Sequence, residues 1–475
     1  MQTKVNPNLV EVINPATKEV IDSIYVATEE EVDQAIQKAN AAKKSWASTP
    51  VWKRAEIFNR FANAVDENKE ELAKLLCYEA GKPIAQAEGE IDTVSRLFRA
   101  FPETAKHLYG KNIPLDHQQG IENDVYLTRR EPLGVIVGII PFNYPADVFS
   151  HKVAPALITG NVMIVKPPLD TPLTILKLAE LFYQSGLPEG VLQVVNGNGS
   201  TVGQRLVSSP LIHGVSLTGG TDTGIKVASS AIKNLNPVML ELGGNDPFIV
   251  FEDVDVDRVV NEAIAGRMGM NGQTCIANKR LIIHKSIVKE FTEKLVERVK
   301  KLKYGNPIDR TVDVGPLINE RALQTVHEQV LHTINQGAEL LTGGEIIDNT
   351  WYLPTVLTNV KPEFDIARDL EVFGPVFPII EFETEEEAVS IANNSCYGLN
   401  ASLFTNDINR AMNISHQIES GIVAVNGTGL YRPDVSYFGG YKMSGYTSKE
   451  GLIGALESMT QIKSVAFRNS LQLYK

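Results

Sequence analysis

The sequence has 475 residues, of which 43% are hydrophobic and 21% charged, and its formal net charge is −12. A chain of this length exceeds one ordinary hydrophobic core, so we expect two or more domains. The acidic balance contains no basic block and argues against a nucleic-acid partner, and no apolar run approaches the ~20 residues of a membrane span. The polar start and the three sparse cysteines predict a cytoplasmic protein without a disulfide framework or a metal site.

The N-terminal part of the chain is predicted to be mainly helical. Apolar residues recur at three- and four-residue spacing over 29–47, 53–78 and 88–108, which is typical of amphipathic helices. The segment 122–130 alternates between apolar and polar residues and predicts a strand or a hairpin arm. The tail, 459–468, alternates again and predicts an edge strand for a partner subunit.

From residue 134 onward, short apolar runs alternate with helical segments. This alternation predicts parallel sheets with helices on their faces, so the expected fold class is α/β. It restarts after Gly243-Gly244, and a second α/β domain is therefore expected to begin near residue 243. The predicted strands are 134–140, 161–165, 192–195, 214–217, 248–251 and 281–284.

Two polar residues in glycine-rich segments suggest covalent chemistry. Cys275 ends the run Asn-Gly-Gln-Thr-Cys, where helical and strand periodicity are absent, which favours a nucleophile over an inert buried thiol. Glu241 lies within Leu-Glu-Leu-Gly-Gly, where a carboxylate held on a sharp turn is a candidate general base. Together they predict attack by a thiolate, followed by attack of water.

Two segments at the ends of predicted strands could bind a nucleotide. Thr218, Gly219, Gly220 and Thr221 follow one strand and open a helix, where backbone N–H groups can bind phosphate. Lys166 ends another strand, where an ammonium group could bond ribose hydroxyls or a 2′-phosphate. An ordinary tight turn and a solvated lysine remain the alternatives.

Asn143 follows the strand 134–140 within Pro-Phe-Asn-Tyr-Pro. Its amide could donate to a developing oxyanion, or it could be a turn asparagine between two prolines. The order of these motifs along nearly the whole chain resembles the aldehyde dehydrogenase superfamily. The matching segments are 141–145, 166–167, 218–221, 241–244, 272–275, 371–375 and 438–445.

The resemblance implies a fold with a Rossmann-type dinucleotide-binding domain, an α/β catalytic domain and a β-arm for oligomerisation. On this basis the dinucleotide-binding domain comprises 1–115 and 134–241, and the catalytic domain comprises 242–450. Residues 116–133 and 451–475 would form the oligomerisation arm and the C-terminal strand of a homodimer or homotetramer.

The resemblance also implies a mechanism. The Cys275 thiolate would attack the aldehyde carbon, while the Asn143 amide and the Cys275 backbone N–H hold the oxyanion. The thiohemiacetal would lose a hydride to NAD or NADP, and Glu241 would activate the water that hydrolyses the thioester. A CoA-acylating enzyme is an alternative that Glu241 argues against, and a non-catalytic dinucleotide-binding relative is one that retention of all three residues argues against.

In this family resemblance Lys166 would bond the adenosine ribose, Glu371 the nicotinamide ribose, and Phe373 would pack near the nicotinamide ring. Leu169 stands where NAD-preferring members often have a glutamate that would repel a 2′-phosphate, so NADP is favoured, with NAD also possible. The implied cofactor-binding residues are Pro141, Phe142, Lys166, Thr218, Gly219, Gly220, Thr221, Leu242, Gly243, Glu371 and Phe373.

The stretch 431–434 is similar to that of relatives acting on lactaldehyde, phosphonoacetaldehyde and other small polar aldehydes. Arg432 would then bind a polar or anionic group of the substrate, or else pair with Asp434 to hold its loop. Thr274, Gly269 and His151 replace arginines that mark glyceraldehyde-3-phosphate and succinate-semialdehyde enzymes, which disfavours those two substrates. The implied substrate-binding residues are Tyr144, Thr274, Arg432 and Phe438.

Overall fold

A computed structural model describes residues 8–446 and 449–468. The chain begins with a hairpin and a group of helices, and α1 starts at a capping box in which Thr28 and Glu31 bond each other's backbone. The first elements are β1 (Leu9–Ile13), β2 (Val20–Tyr25), α1 (Glu29–Ser48), α2 (Val51–Glu67), α3 (Lys69–Ala80), α4 (Ile84–Ala105), β3 (Asn112–Ile113) and β4 (Val125–Pro132).

The single helix predicted over 53–78 is wrong, because α2 and α3 are separate helices that meet at Asn68. Asn68 leaves the helical conformation, with φ −106° and ψ 12°. Its side-chain amide donates to the Ala64 carbonyl at 2.7 Å, which competes with the backbone ladder of the helix. Continuous apolar periodicity on both sides of Asn68 concealed this break.

A five-stranded parallel sheet, the first sheet, follows with the order β7-β6-β5-β8-β9. The apolar runs predicted as strands over 134–140, 161–165, 192–195 and 214–217 form β5 to β8, whereas β9 was not predicted, and the sheet lies entirely within 134–241. Its elements are β5 (Val135–Ile139), α5 (Pro145–Ile158), β6 (Val162–Lys166), α6 (Leu173–Gln184), β7 (Leu192–Val194), α7 (Gln204–Ser208), β8 (Gly214–Thr218), α8 (Thr221–Ala231) and β9 (Val238–Glu241).

A seven-stranded second sheet has the order β12-β15-β16-β11-β10-β18-β19, and only β12 runs antiparallel to its neighbour. The remaining elements are β10 (Pro247–Val250), α9 (Val256–Met268), β11 (Arg280–His284), α10 (Val288–Val299), α11 (Glu320–Asn335), β12 (Glu339–Thr342), β13 (Ile346–Asp348), β14 (Trp351–Tyr352), β15 (Thr355–Val360), β16 (Val376–Phe382), α12 (Glu385–Asn393), β17 (Tyr397–Gly398), β18 (Asn400–Phe404), α13 (Ile408–Gln417), β19 (Ile422–Val425), β20 (Tyr441–Lys442), α14 (Leu452–Ser458) and β21 (Thr460–Phe467).

The C-terminal strand pairs within its own chain. In a third sheet, of order β21-β4-β3, all eight residues of β21 run antiparallel to β4. The helix α14, which precedes β21, places Leu452, Ala455 and Leu456 in the hydrophobic core that contains the first sheet. The C-terminal segment therefore ties the third sheet to this core.

The order of the first sheet creates a crevice for a ligand. From β5 the chain proceeds to β6 on one side, whereas β8 pairs with the other side of β5. Ligands bind at such a switch point, beyond the carboxyl ends of the strands. The loop after β5 and the turn after β8 both lie there, and Glu241 ends the neighbouring β9. Within the described ranges, no helix has the length and apolar character needed to span a bilayer.

Candidate active site

A cavity of about 810 Å³ is lined by all three predicted catalytic residues: Asn143, Glu241 and Cys275. Asn143 lies in the loop between β5 and α5, Glu241 ends β9, and Cys275 lies in the loop between α9 and β11. Pockets of this size suit small-molecule ligands. The predicted site residues on the wall are Asn143, Tyr144, Thr218, Glu241, Leu242, Thr274, Cys275, Arg432 and Phe438.

Asn143 presents a fixed amide donor to this cavity. Asn143 is 6% exposed, and its Nδ2 donates a hydrogen bond to the Gln273 carbonyl at 2.9 Å. An amide nitrogen carries two hydrogens, so this bond sets the orientation of the side chain and leaves a second N–H available. A preorganised N–H donor in a largely enclosed site is suited to stabilise an oxyanion.

A buried ion pair holds the loop that carries Asn143. Lys82 and Glu90 have 0% and 1% exposed side chains, and their charged groups are in contact. The Lys82 ammonium also donates to the Asn143 carbonyl at 2.8 Å. Glu90 accepts hydrogen bonds from the backbone N–H groups of Ala146 and Asp147, at 2.9 and 3.1 Å, in the first turn of α5. A carboxylate there satisfies helix-terminal donors and complements the helix dipole.

The loop that carries Cys275 adopts an unusual backbone conformation. Met270 and Asn271 have φ values of +48° and +57°, in the left-handed region that non-glycine residues seldom adopt. Asn271 is fully buried, and its amide donates to the Pro316 carbonyl at 2.8 Å while accepting from Gly315 N–H at 2.7 Å. These bonds fix the strained turn just before the cysteine.

Burial and nearby charges oppose each other at Cys275. The pKa of its thiol is raised to about 12, mainly by burial and also by the Asp246 and Glu371 carboxylates. The ammonium of Lys279 and the guanidinium of Arg432 lower it. A thiol in this balance needs either the positive charges or a proton acceptor to react as a thiolate.

Glu241 provides a candidate proton acceptor. Its carboxylate is buried, and Oε2 has no hydrogen-bond partner among the described residues. Burial, followed by the negative charge of Glu450, raises the pKa of Glu241 well above its ordinary value. The loop around Gly439 closes over it, since a Cβ at Gly439 would lie 2.6 Å from Glu241 Oε1.

Glu450 has the opposite protonation behaviour beside Glu241. Burial alone would raise the pKa of Glu450, but Lys152, His151 and Arg432 outweigh it and lower the pKa to about 2. The Lys152 ammonium lies 3.4 Å from its Oε1, and the Arg432 guanidinium lies 3.0 Å from its Oε2. Two neighbouring carboxylates whose pKa values are pushed apart can serve as a fixed charge and a proton-exchanging group.

Arg432 and Phe438 form another part of the wall. The Arg432 guanidinium carbon lies 3.6 Å from the centroid of the Phe438 ring, a cation–π contact. The alternative pairing of Arg432 with Asp434 is wrong, because Arg432 pairs with Glu450 and Asp434 pairs with Arg96 at 2.9 Å. The bond to Glu450 uses one amino group of Arg432. The remaining N–H groups of Arg432 have no hydrogen-bond partner within the described part of the chain.

Tyr144 and Thr274 complete the predicted substrate side. The Tyr144 hydroxyl and the Thr274 hydroxyl are 3.4 Å apart, and Thr274 donates to the Gly269 carbonyl at 2.8 Å. The Lys82 ammonium lies 4.1 Å from the Tyr144 ring centroid. The ion pair that holds the Asn143 loop therefore also supports a substrate-side aromatic ring.

The turn after β8 fits a phosphate-bearing ligand. Its Thr218 hydroxyl is buried without a hydrogen-bond partner among the described residues, and a Cβ at Gly220 would meet no atom within 4 Å. Gly220 precedes α8, so helix N-terminal amides face this open space. Gly219 donates its N–H to the Glu241 carbonyl at 3.0 Å, and the Thr221 hydroxyl lies 3.3 Å from the Met443 carbonyl.

Glu371 and Phe373 lie beside the glycines that follow Glu241. Glu371 Oε1 accepts the N–H of Gly244 at 3.1 Å, and a Cβ at Gly243 would lie 2.3 Å from its Oε2. The rings of Phe373 and Phe142 meet edge to face, with centroids 6.1 Å apart. The structure thus brings the segment after β5 and the glycines Gly243 and Gly244 next to the segment 371–375.

Lys166 lies apart from this group. Its ammonium donates to the Pro167 carbonyl at 2.8 Å, and burial lowers its pKa to about 8. Leu169 packs against a small cluster that contains Val12 and Ile24, so no carboxylate accompanies this lysine three residues on. The described residues contain no group of three or more histidine, cysteine or acidic side chains that could hold a metal ion.

Five charged residues of the site were not predicted from the sequence: Lys82, Glu90, Lys152, Glu450 and Lys279. Single charged residues in helices and loops are usually exposed, and nothing local distinguishes these from surface residues. For Lys279 there was one signal, because two adjacent cations directly before the apolar run Leu281-Ile282-Ile283 are unusual.

Three comparisons with known proteins agree with this geometry. The family model described as "Aldehyde dehydrogenase family" matches residues 2–465. A succinate-semialdehyde dehydrogenase of Escherichia coli, whose name specifies NADP(+), is 36% identical over 460 residues, covering 96% of this chain and 94% of the relative. A 3-sulfolactaldehyde dehydrogenase of Priestia aryabhattai is 37% identical over 451 residues, covering 95% and 93%. The structure of a glyceraldehyde-3-phosphate dehydrogenase from Methanocaldococcus jannaschii, complexed with NADP, matches with TM-score 0.92 and 36% identity, covering 98% of this chain and all (100%) of the other.

Proposed function

The chain belongs to the aldehyde dehydrogenase family and is an NAD(P)-dependent oxidoreductase acting on small polar aldehydes, and we propose that Cys275, Asn143 and Glu241 carry out its reaction. The observation that carries this assignment is that all three residues line the same cavity. The wall supplies a nucleophile, an amide donor with a free N–H and a carboxyl whose pKa is raised. These are the three groups needed for nucleophilic attack, oxyanion stabilisation and proton transfer.

In the first half-reaction, the Cys275 thiol gives its proton to water in the cavity, the thiolate sulfur forms a bond to the aldehyde carbon, and the carbonyl π electrons move to oxygen. The free N–H of Asn143 stabilises this oxyanion, which is worth on the order of 10²–10³ in rate for one donor. The oxyanion then collapses to a thioester as the hydride leaves the carbon. The bound nicotinamide cofactor supplies the hydride acceptor.

In the second half-reaction, Glu241 removes a proton from water, and the resulting hydroxide attacks the thioester carbon. The carbon–sulfur bond breaks, the Cys275 thiolate is restored and a carboxylic acid leaves. A raised pKa suits Glu241 to this task, because it makes the ionised carboxylate a stronger base than an ordinary glutamate. Glu450, whose pKa is lowered to about 2, remains charged beside it.

The cofactor would lie across the switch point of the first sheet. We assign its phosphates to the turn 218–221, its nicotinamide end to Glu371 and Phe373, and its adenosine ribose to Lys166. The orphaned Thr218 hydroxyl, the open space at Gly220 and the absence of a carboxylate at Leu169 support this assignment. The absence of a carboxylate at position 169 favours NADP. Two of the three proteins compared above carry NADP in their names or titles.

We assign the polar end of the substrate to Arg432. Its guanidinium lies on the cavity wall and has N–H groups that Glu450 does not use. The semialdehyde and sulfolactaldehyde named for the relatives carry a carboxylate or a sulfonate, which an arginine can bind through paired N–H groups. Tyr144, Thr274 and Phe438 would line the path between this group and Cys275.

Turnover can be followed by the absorbance of the reduced cofactor. We would compare NAD⁺ and NADP⁺ with lactaldehyde, glycolaldehyde, succinate semialdehyde and butanal, without CoA and with Cys275→Ala as the control. Activity that is lost in Cys275→Ala supports the thiolate mechanism, whereas activity retained in that variant contradicts it. A requirement for added CoA would contradict hydrolysis by Glu241.

The same assay tests Arg432. Succinate semialdehyde and butanal have similar chain lengths, but only the first carries a carboxylate. In Arg432→Met we expect KM for succinate semialdehyde to rise at least tenfold, about 1.4 kcal/mol of lost binding, with little change for butanal. Equal changes for both aldehydes would contradict a direct contact with the anionic group.

We also propose that the protein is a cytoplasmic homo-oligomer without a nucleic-acid or membrane partner. The third sheet leaves Ile113, Leu127 and Ile462 exposed by 36%, 38% and 64%. The strand β19 forms an edge of the second sheet. Exposed strand edges and apolar sheet faces favour pairing with another chain. The net charge of −12 argues against a nucleic-acid partner, and the three free cysteines are consistent with the reducing cytoplasm.

A further inference from the structure

Lys279 is a fully buried lysine four residues after Cys275, with a side chain that is 0% exposed. Removing an ammonium group from water costs several kcal/mol unless partners compensate for it. The partners of Lys279 therefore indicate why a charge is kept at this position.

The Lys279 ammonium contacts three parts of the site at once. It donates a hydrogen bond to the carbonyl of Cys275. It lies 3.1 Å from Oε1 of Glu371 and 5.8 Å from the centroid of the Phe373 ring. One charged group thus joins the backbone of the nucleophile to both residues assigned to the nicotinamide end of the cofactor.

The neighbouring Arg280 shows what a purely structural cation looks like here. It is also buried, and its N–H groups donate to the backbone carbonyls of Asn245, Ala367, Ile391 and Ala392. None of those acceptors lines the cavity. The contacts of Lys279 differ because they are made to the nucleophile and to a charged cofactor-site residue.

We propose that Lys279 is a positioning residue that holds the Cys275 backbone and the Glu371 carboxylate in fixed relation and places a positive charge beside the catalytic sulfur. This inference rests on the roles proposed above for Cys275 and Glu371. The other charged groups that face the thiol are Asp246, Glu371 and Arg432. Of the two cations, Lys279 has the greater effect in lowering the thiol pKa against burial.

The first test uses the cofactor-free enzyme. The rate of Cys275 alkylation by iodoacetamide is measured against pH, with mass spectrometry to separate Cys275 from the exposed Cys396. In Lys279→Met we expect the midpoint to move up by about one pH unit, so that alkylation at neutral pH slows about tenfold. Lys279→Arg, which keeps the charge, should restore most of the rate. A wild-type profile in Lys279→Met would overturn the proposal.

The second test is a double-mutant cycle on NADP affinity, measured by calorimetric titration. Lys279→Met and Glu371→Gln should each weaken binding, and the double variant should lose less than the sum because one contact is removed twice. Fully additive losses would overturn the link between the two residues. Lys285→Met, an exposed lysine paired with Glu383, is the matched control and should change neither measurement.

These tests separate this proposal from the proposed function. Turnover retained in Cys275→Ala would refute the thiolate mechanism, whereas the alkylation profile and the affinity cycle need no turnover. Circular dichroism spectra that match the wild type are required of each variant. If Lys279→Met does not fold, an unchanged alkylation midpoint in a folded Lys279→Gln would overturn the proposal in the same way.

Discussion

At the scale of single residues, the site is organised around two carboxyl groups in opposite states. Glu241 has no hydrogen-bond partner for Oε2 among the described residues and has a raised pKa. Glu450 contacts two cations and has a pKa lowered to about 2. The same side chain is thus a proton acceptor in one position and a permanent charge in the other, because of its neighbours alone.

Replacing Glu241 by glutamine should uncouple the two half-reactions. Glutamine cannot accept a proton, so thioester hydrolysis should slow by about 10²–10⁴-fold while the first hydride transfer continues. Stopped-flow absorbance should show a burst of reduced cofactor, up to one per active site, followed by slow turnover. Wild-type steady-state turnover in Glu241→Gln would contradict the assignment.

The pH dependence of the wild type follows from the same carboxyl. Glu241 acts as a base only when ionised, and its pKa is raised, so the hydrolytic step should lose rate as pH falls through that raised pKa. Steady-state rates measured against pH should therefore have an acid limb that is absent from the residual rate of Glu241→Gln. An identical acid limb in both proteins would assign it to another group.

Asn143→Ala tests the oxyanion contact separately from the base. Without the amide donor the hydride burst itself should slow by about 10²–10³-fold, because the oxyanion forms before the hydride leaves. Single-turnover stopped-flow measurements with saturating cofactor report this step. A burst at the wild-type rate, in protein that binds cofactor normally, would show that Asn143 is not the donor.

Leu169 should determine the cofactor preference. In Leu169→Glu a carboxylate would follow Lys166 by three residues and repel a 2′-phosphate. We expect the ratio of kcat/KM for NADP⁺ over NAD⁺ to fall at least tenfold, with Leu169→Gln as a control of similar size and no charge. Equal ratios in the two variants would exclude a charge effect at this position.

The sequence singled out the candidate catalytic residues more readily than the charged residues that contact them. Cys275, Glu241 and Asn143 lie in glycine- or proline-rich segments whose composition is unusual, and the cavity brings all three together. Lys82 and Lys279 have no such local signal, since their burial arises from residues distant in the chain. The pairing of Arg432 with Glu450 instead of Asp434 is likewise a tertiary outcome.

At the scale of elements, buried charge holds α4 against the start of α5. Glu90 on α4 accepts two N–H groups of the first turn of α5, and Lys82 binds the carbonyl just before it. The helices and strands themselves were mostly predictable, because apolar periodicity is a local property. The break at Asn68 and the seven-residue α14 were not, since a single side-chain bond and a long-range contact determine them.

Removing Glu90 should therefore destabilise the protein strongly. Glu90→Ala leaves the Lys82 ammonium buried without its counter-charge, and breaking a buried pair in this way costs about 3–5 kcal/mol. The matched control is Glu70→Ala, which removes an exposed partner of Lys74 and should leave the free energy of unfolding almost unchanged, because solvent screens an exposed pair. Urea unfolding measures both, and equal losses would contradict an energetic role for burial of the Lys82–Glu90 pair.

At the scale of the whole molecule, two α/β sheets contribute to one cavity, and a third sheet leaves apolar residues exposed, Ile113 and Ile462 on one face and Leu127 on the other. The first sheet supplies Asn143 and Glu241, and the connections of the second sheet supply Cys275 and Arg432. The second α/β unit was predicted because the alternation of strand and helix patterns restarts after residue 243. The pairing of β21 with β4 was not visible, because alternation marks a strand without naming its neighbour.

The exposed apolar residues of the third sheet should be covered by another copy of the chain. Ile462 on β21 is 64% exposed, and a glutamate there would place an unpaired charge in such an interface. We expect the wild type to sediment as a dimer or tetramer and Ile462→Glu to shift toward smaller species at low protein concentration. Ile408→Glu, at an isoleucine that is 70% exposed at the start of α13, is the control and should sediment as the wild type does. A monomeric wild type would contradict self-association, and an oligomer unaffected by Ile462→Glu would move the interface away from the third sheet.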